Sequence, residues 1–139
     1  MIDRLQEKDI DQVAQIEAEI FSVPWSIKSF KDALASEQNI YLKAETDGQI
    51  VGYCGIWTSF ESADLCNIAV KKEFRKAGLG QKLLEAGIQA AAAKGVERIL
   101  LEVRQSNKAA IRLYEKNGFQ TIGLRKSYYT KPVEDAILM

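Results

Sequence analysis

What most constrains this fold is an abrupt change of hydrophobic period near Arg75. Upstream, apolar residues gather in short extended runs: Ile40 to Thr46, Gln49 to Thr58 and Ala63 to Val70. Downstream, Leu83, Leu84, Ile88 and Ala91 recur at helical spacing over Leu79 to Lys94. The two periods are not interchangeable, because a strand turns alternate side chains to opposite faces and a helix stacks residues three and four apart. Asp47-Gly48, between the first two runs, is a tight hairpin signal, so those strands pair antiparallel. A strand, a helix and then another strand over Arg98 to Arg104 predict a parallel pairing instead. The order is that of a mixed α/β protein, hairpins first and a strand–helix–strand unit after them.

The remaining elements fit around this frame. Ile2 to Leu5 reads as a short opening strand, and Asp9 as the cap of a helix running to about Glu19. Ile10, Val13, Ile16, Glu17 and Ile20 trace its inner stripe. Pro24 breaks the helical pattern, and Ser26 caps a second helix, Ile27 to Ala35, with Phe30 and Leu34 facing inward. Asn107 opens a helix carrying Ile111, Leu113 and Tyr114, and Gly118 ends it. Phe119 to Leu124 and Glu134 to Leu138 read as two last strands around an irregular loop. A chain of 139 residues without repeat or linker is expected to form one domain over 1–139.

Composition excludes several functions. Basic and acidic residues balance at 19 each, so no net field points to nucleic acid. No apolar run approaches the ~20 residues of a membrane span, and no secretory segment is present, so a cytoplasmic protein with no membrane contact is expected. Cys54 and Cys66 both lie in strand-like runs and are expected to be buried, reduced thiols. Two cysteines and no histidine leave no metal site to predict. The missing histidines also exclude serine–histidine and cysteine–histidine hydrolases. Any general base must be a carboxylate, a lysine, a tyrosine, a thiolate or water.

One local segment points to a ligand. Arg75-Lys76-Ala77-Gly78-Leu79-Gly80 stands between a strand and a long helix. Glycines let a ligand approach the main chain, and a helix N-terminus offers unpaired N–H groups and the positive end of a dipole. Together with Arg75 and Lys76 they suit a phosphate. A Walker loop would need a Gly-Lys-Ser/Thr ending, and a dinucleotide fingerprint would need glycine where Leu83 stands; neither is present. By itself the segment could equally be a glycine-containing helix start with solvated charges.

Its surroundings add more. Arg-x-x-Gly-x-Gly after Asn67-Ile68-Ala69-Val70 resembles the acetyl-CoA pyrophosphate motif of the GNAT superfamily. Leu101-Glu102-Val103-Arg104, Ser106-Asn107, Ala109-Ala110-Ile111, Leu113-Tyr114-Glu115 and Gly118-Phe119 also resemble that superfamily. Within it they are most similar to the RimI type, the ribosomal-protein alanine N-acetyltransferases. Phe21 to Ser26, Tyr128-Tyr129 and Glu134-Asp135-Ala136 extend the resemblance over nearly the whole chain. Arg125 to Thr130 departs from it, with Ser127 and Thr130 where that type has Asn and Pro. The departure lies near where the family holds its peptide, so it bears on acceptor choice.

The resemblance implies a single GNAT domain whose mixed, mostly antiparallel sheet splays between its fourth and fifth strands, flanked by helices. It implies acetyl-CoA as co-substrate, bound by Arg75, Lys76, Ala77, Gly78, Leu79, Gly80 and Gln81 at the pyrophosphate. Main-chain groups of Ile68, Ala69 and Val70, with Asn107, would hold the pantetheine arm and acetyl carbonyl. Trp25 and Tyr128 would line the acceptor groove, although packing alone would account for each. The implied acceptor is a protein N-terminus, that of a small-subunit ribosomal protein, taken by a monomeric enzyme. A small amine or lysine acceptor, or a non-catalytic acyl-CoA-binding module, are the alternatives.

Transfer to an amine needs a neutral nucleophile and a protonated leaving thiol. Glu102 is the base that the resemblance implies, acting directly or through water, and Tyr114 the acid. The strand pattern sets Ile99, Leu101 and Val103 on one face and Leu100, Glu102 and Arg104 on the other. Burial beside Leu100 would raise the carboxyl's pKa. The alternatives are a Glu102 paired with Arg104 and a Tyr114 that only packs.

Overall fold

The computed structural model describes residues 1–139. The chain forms two compact units, Met1–Ile99 and Leu100–Met139. In the first, β1 (Ile2–Arg4), β2 (Asn39–Thr46), β3 (Gln49–Ser59), β4 (Ser62–Val70) and β5 (Arg98–Leu100) form a sheet in that order. The first four pair antiparallel, and β5 joins β4 in parallel after a helical crossover. The β2–β3 turn is the expected one: Asp47 and Gly48 both have positive φ, 53° and 76°, as a type I′ hairpin requires.

Helices cover both faces of this sheet. Ile10, Val13 and Ile16 of α1 (Ile10–Ile20) and Phe30 and Ala33 of α2 (Ile27–Ala35) pack with Tyr41, Tyr53 and Ala69. Tyr53 and Cys54 point to opposite faces, and α3 (Leu79–Ala93) lies on the Cys54 side. It approaches there closely: a Cβ on Gly87 would stand 2.8 Å from Ile56 and 3.3 Å from the Cys54 sulfur.

Three sequence expectations need correction here. Asp9 occupies the N-cap position of α1 but does not cap it. Its buried carboxylate accepts from the Gln6 amide at 2.9 Å and from Lys43 Nζ at 2.8 Å, a stronger pull than a helix N–H. Cys66 is exposed, whereas Cys54 is buried. A bulge explains the difference: Gly55 pairs with Asn67 and Ile56 with Leu65, so Cys66 is the extra residue and falls out of the alternation. The expected strand Arg98 to Arg104 is two strands, β5 and β6 (Glu102–Arg104), which interrupt at Leu101 and belong to different sheets.

The second unit is an antiparallel sheet of order β6-β8-β7, with β7 at Gly123–Thr130 and β8 at Val133–Leu138, together with α4 (Lys108–Lys116). Here too the sequence expectation shifts. Phe119 to Ile122 are not in a strand, and Tyr128-Tyr129, expected in a loop, lie in β7. Pairing is interrupted between Arg125 and Tyr129, where Ser127 has φ 53° and donates its N–H to Asp135 Oδ1 at 2.8 Å. That side-chain acceptor replaces the missing ladder bond and lets the strand resume.

Candidate active site

The glycine segment is built as an open cradle. Lys76 and Gly78 both take left-handed backbone, φ 70° and 79°. Left-handed residues set among ordinary ones turn successive N–H groups to one side, the concave arrangement that holds anions. A Cβ added at Gly78 would meet nothing within 4 Å, so space stands open beside the backbone. The start of α3 differs from those of α2 and α4. Ser26 Oγ accepts from Ser29 N at 3.1 Å, and Asn107 Oδ1 from Ala110 N at 3.2 Å, whereas α3 starts at Gly78 with no side-chain cap. A 15-residue helix whose cap has no side chain keeps its first N–H groups for a ligand. Arg75 and Lys76 are exposed beside it. Charge, open backbone and an uncapped dipole at one place fit the pyrophosphate of acetyl-CoA.

Strand β4 leads into this loop. Its partner β5 is only three residues long, roughly 10 Å of chain, against nine residues in β4. It enters level with the other end of β4, where Glu97 and Arg98 donate N–H bonds to Glu61 O and Arg98 Nη2 reaches Ser62 Oγ at 3.0 Å. Ile68, Ala69 and Val70 therefore run on beyond β5. The Val70 carbonyl accepts from Arg75 Nε at 2.9 Å, which ties the strand end to the loop.

The acceptor candidate of this unit, Trp25, is half-buried and lies edge-on to Trp57, with ring centroids 5.9 Å apart. Both indoles line a cleft of about 580 Å³, together with Asp32, Asn39 and Asp64.

Four candidates stand in the second unit. Glu102 on β6 is exposed, and this overturns the expected burial beside Leu100. It lies on β6, which pairs with β8 alone. The Arg104 guanidinium, two positions on, bonds Glu134 Oε1 at 3.2 Å, Pro132 O at 3.0 Å and Lys131 O at 3.2 Å. It also lies 4.4 Å from the Tyr129 ring centre. Tyr114 on α4 is buried and meets Phe119 edge-on at 5.7 Å. Asn107 caps α4, the structural half of its expected role. Tyr128 is exposed on β7, against Tyr129 and under the Arg125 guanidinium.

The electrostatics hold features that the sequence did not single out. Glu134 is held below the usual carboxylate range by Ser106, whose N–H donates at 2.6 Å, with Arg104 adding to it. Burial pushes the Tyr129 phenol up to about 12, and the neighbouring Tyr128 and Glu102 act in the same direction. Burial likewise pushes the Cys54 thiol up to about 12, which leaves it unreactive near neutral pH. Arg104 was within reach of the sequence, since it shares the Glu102 face of the strand alternation. Glu134 and Tyr129 could not, because their bonds cross 30 residues of chain or depend on the β7–β8 register.

Comparison with known proteins agrees with this geometry. The sequence profile described as "Acetyltransferase (GNAT) family" matches residues 10–119. A Bacillus subtilis (strain 168) relative is 44% identical over 133 residues, which cover 95% of this chain and 88% of that one. The ribosomal protein bS18-alanine N-acetyltransferase of Haemophilus influenzae (strain ATCC 51907 / DSM 11121 / KW20 / Rd) is 36% identical, over 100% of this chain and 96% of its own. The crystal structure of the ribosomal-protein-S18-alanine N-acetyltransferase from Escherichia coli superposes with a TM-score of 0.92 at 35% identity, covering 100% of this chain and 90% of that one. With an open anion cradle, a strand that outruns its neighbour and relatives matched over most of their length, this chain belongs to the GNAT acetyltransferase family and is an acetyl-CoA-dependent N-acetyltransferase.

Proposed function

We propose that this enzyme acetylates the N-terminal alanine of a small-subunit ribosomal protein, the bS18 counterpart, and that 1–139 work as one acetyltransferase domain. The observation that carries the reading is end-to-end similarity, at 36% identity, to a relative named for that acceptor. The absence of histidine adds a chemical argument. An α-ammonium has a pKa of roughly 7.7–8.0 and is partly neutral near pH 7, whereas a lysine near ~10.4 is almost wholly charged. A site with one exposed carboxylate as base favours the α-amine.

In this reading Arg75, Lys76, Ala77, Gly78, Leu79, Gly80 and Gln81 hold the pyrophosphate. Ile68, Ala69, Val70 and Asn107 hold the pantetheine arm, and Trp25 and Tyr128 line the acceptor path. Glu102 takes the proton from the amine, directly or through a water. The nitrogen bonds to the acetyl carbon, the carbon–sulfur bond breaks, and Tyr114 gives its phenolic proton to the departing sulfur. No acyl-enzyme forms. The enzyme acts as a cytoplasmic monomer, without nucleic acid; no helix of the chain is long and apolar enough to cross a membrane.

The test is incubation with acetyl-CoA and peptides that start with Ala or Ser and contain an internal lysine. Fragment-ion spectra are expected to place the acetyl group on the terminal nitrogen. Label found mainly on lysine side chains, or activity confined to small amines, would overturn the proposal.

A further inference from the structure

Glu17 is a carboxylate in the wrong place for a helix of this kind. It sits on the inner stripe of α1, next to Ile16 and a turn beyond Val13, and is 3% exposed. Burying a charge is costly, and an apolar residue of similar size would complete the stripe without that cost. What it holds explains its presence. One oxygen, Oε1, accepts from the Tyr53 hydroxyl on β3, and the other, Oε2, accepts from the main-chain N–H of Trp25 at 3.1 Å. The main-chain carbonyl of the same residue accepts from Phe21 N at 2.9 Å. The Glu17 side chain therefore ties Trp25, at the far end of the α1–α2 connection, back to α1, across a stretch in which Pro24 can donate nothing.

The grip fixes an indole. With its main chain tethered, Trp25 lies 5.3 Å from Phe30 and 5.9 Å from Trp57. The Trp57 Nε1–H in turn donates to Tyr41 Oη at 2.9 Å, and Tyr41 donates to the buried Asn67 at 3.1 Å. Burial, reinforced by the Glu17 charge, pushes the Tyr53 phenol well above its usual range, so it remains the donor. A chain of bonds and ring contacts thus runs from a buried carboxylate to the two indoles of the cleft.

We infer that Glu17 is a positioning residue for the acceptor: it sets Trp25, and with it one wall of the cleft, in the orientation that receives the incoming peptide. This rests on the reading of Trp25 as an acceptor-lining residue. Tyr53 is the second strut of the device, bonded to the other Glu17 oxygen.

Glu17→Leu removes both bonds and restores an apolar stripe, so it is expected to fold. With an Ala-starting peptide, its acceptor KM should rise by about tenfold or more, the usual worth of a lost bond to a charged group. Its kcat and acetyl-CoA affinity should stay within about twofold to threefold. Glu17→Gln, whose amide can still accept from Trp25 and donate to the Tyr53 oxygen, should restore most of the affinity. Trp25 and Trp57 are the only two tryptophans, so near-ultraviolet circular dichroism reads their coupling directly and should weaken in the Leu variant. Should Glu17→Leu fail to fold, Glu17→Asp, one methylene shorter, carries the same test.

An unchanged acceptor KM with an unchanged tryptophan signal would overturn the inference. So would a parallel loss of kcat and acetyl-CoA affinity, or a failure of Gln to rescue. Trp25→Ala separates this from the reading beneath it. If Trp25→Ala leaves acceptor KM unaltered, the acceptor role of Trp25 fails. If it raises KM while Glu17→Leu does not, only the positioning role fails.

Discussion

The units Met1–Ile99 and Leu100–Met139 are stabilised in different ways. In the first, Tyr53, Phe30, Ile10, Ile16, Leu83 and Leu84 are fully buried, and helices pack on both faces of the sheet. In the second, Leu101, Val103, Tyr114, Ala136 and Met139 are the buried apolar residues. Polar ties take over there: Arg104 to Glu134, Ser106 to Glu134 and Ser127 to Asp135. Hydrophobic burial is non-directional and scales with area, whereas hydrogen bonds fix angles and registers. The deep core carries the anion cradle, and the thin one carries the groups proposed for proton transfer. A thin core held by directed bonds can set side-chain angles closely while contributing little to stability.

The largest expected effect tests the division of labour. Glu102→Gln should lower kcat/KM by on the order of 10²–10⁴, the usual worth of a general base, and leave acetyl-CoA affinity in place. Turnover near that of the unaltered enzyme from pH 6 to 9 would place the base elsewhere.

Stability should split the same way. Phe30→Ala empties a fully buried site and should cost about 3–5 kcal/mol. Arg104→Ala removes several bonds in the thin unit and should cost about 1–3 kcal/mol. Denaturant melts that gave equal losses would break the contrast between the units.

A ligand sharpens it further. At ~100 times its dissociation constant, acetyl-CoA should stabilise the chain by ~2.7 kcal/mol, seen as a rise in Tm, and ATP and NAD should do much less. Gly78→Ala should blunt the shift, because its φ of 79° disfavours a side chain and the Cβ would project into the open space. Equal shifts from all three ligands would argue against a dedicated cradle.

The smallest effect concerns pH. Burial pushes the Asp9 carboxyl up, but the Lys43 ammonium and the Gln6 amide outweigh it and hold the carboxyl below its ordinary value. Its contribution to stability is therefore present above the unfolded value of ~3.9 and is lost as pH falls through the lower folded value. Lys43, bonded to Asp9 and Glu45, is shifted up, so its contribution is full below ~10.4 and is lost as pH rises through the higher folded value. Asp9→Asn should flatten the acid limb of a melting-temperature profile; an unaltered limb would show that the pair does not govern it.

Much of this was legible in the sequence because local rules decide it. The Asp47-Gly48 turn, the Ser26 and Asn107 caps and the α1 and α3 stripes depend on neighbours within a few positions, and each formed as expected. The anion cradle is local too, since a glycine-capped helix start lies within six consecutive residues. The sequence thus determined the order of elements, the place of the glycine-capped helix start and the absence of histidine. Tertiary structure alone decided which carboxylates are buried. Glu17 and Asp9 went inside because Tyr53 and Lys43, 36 and 34 residues away, stood ready to satisfy them. Glu102 stayed outside, and Cys66 was turned out by a bulge whose partner strand is β3. Burial and pairing are properties of what arrives from elsewhere in the chain, and a local pattern cannot contain them.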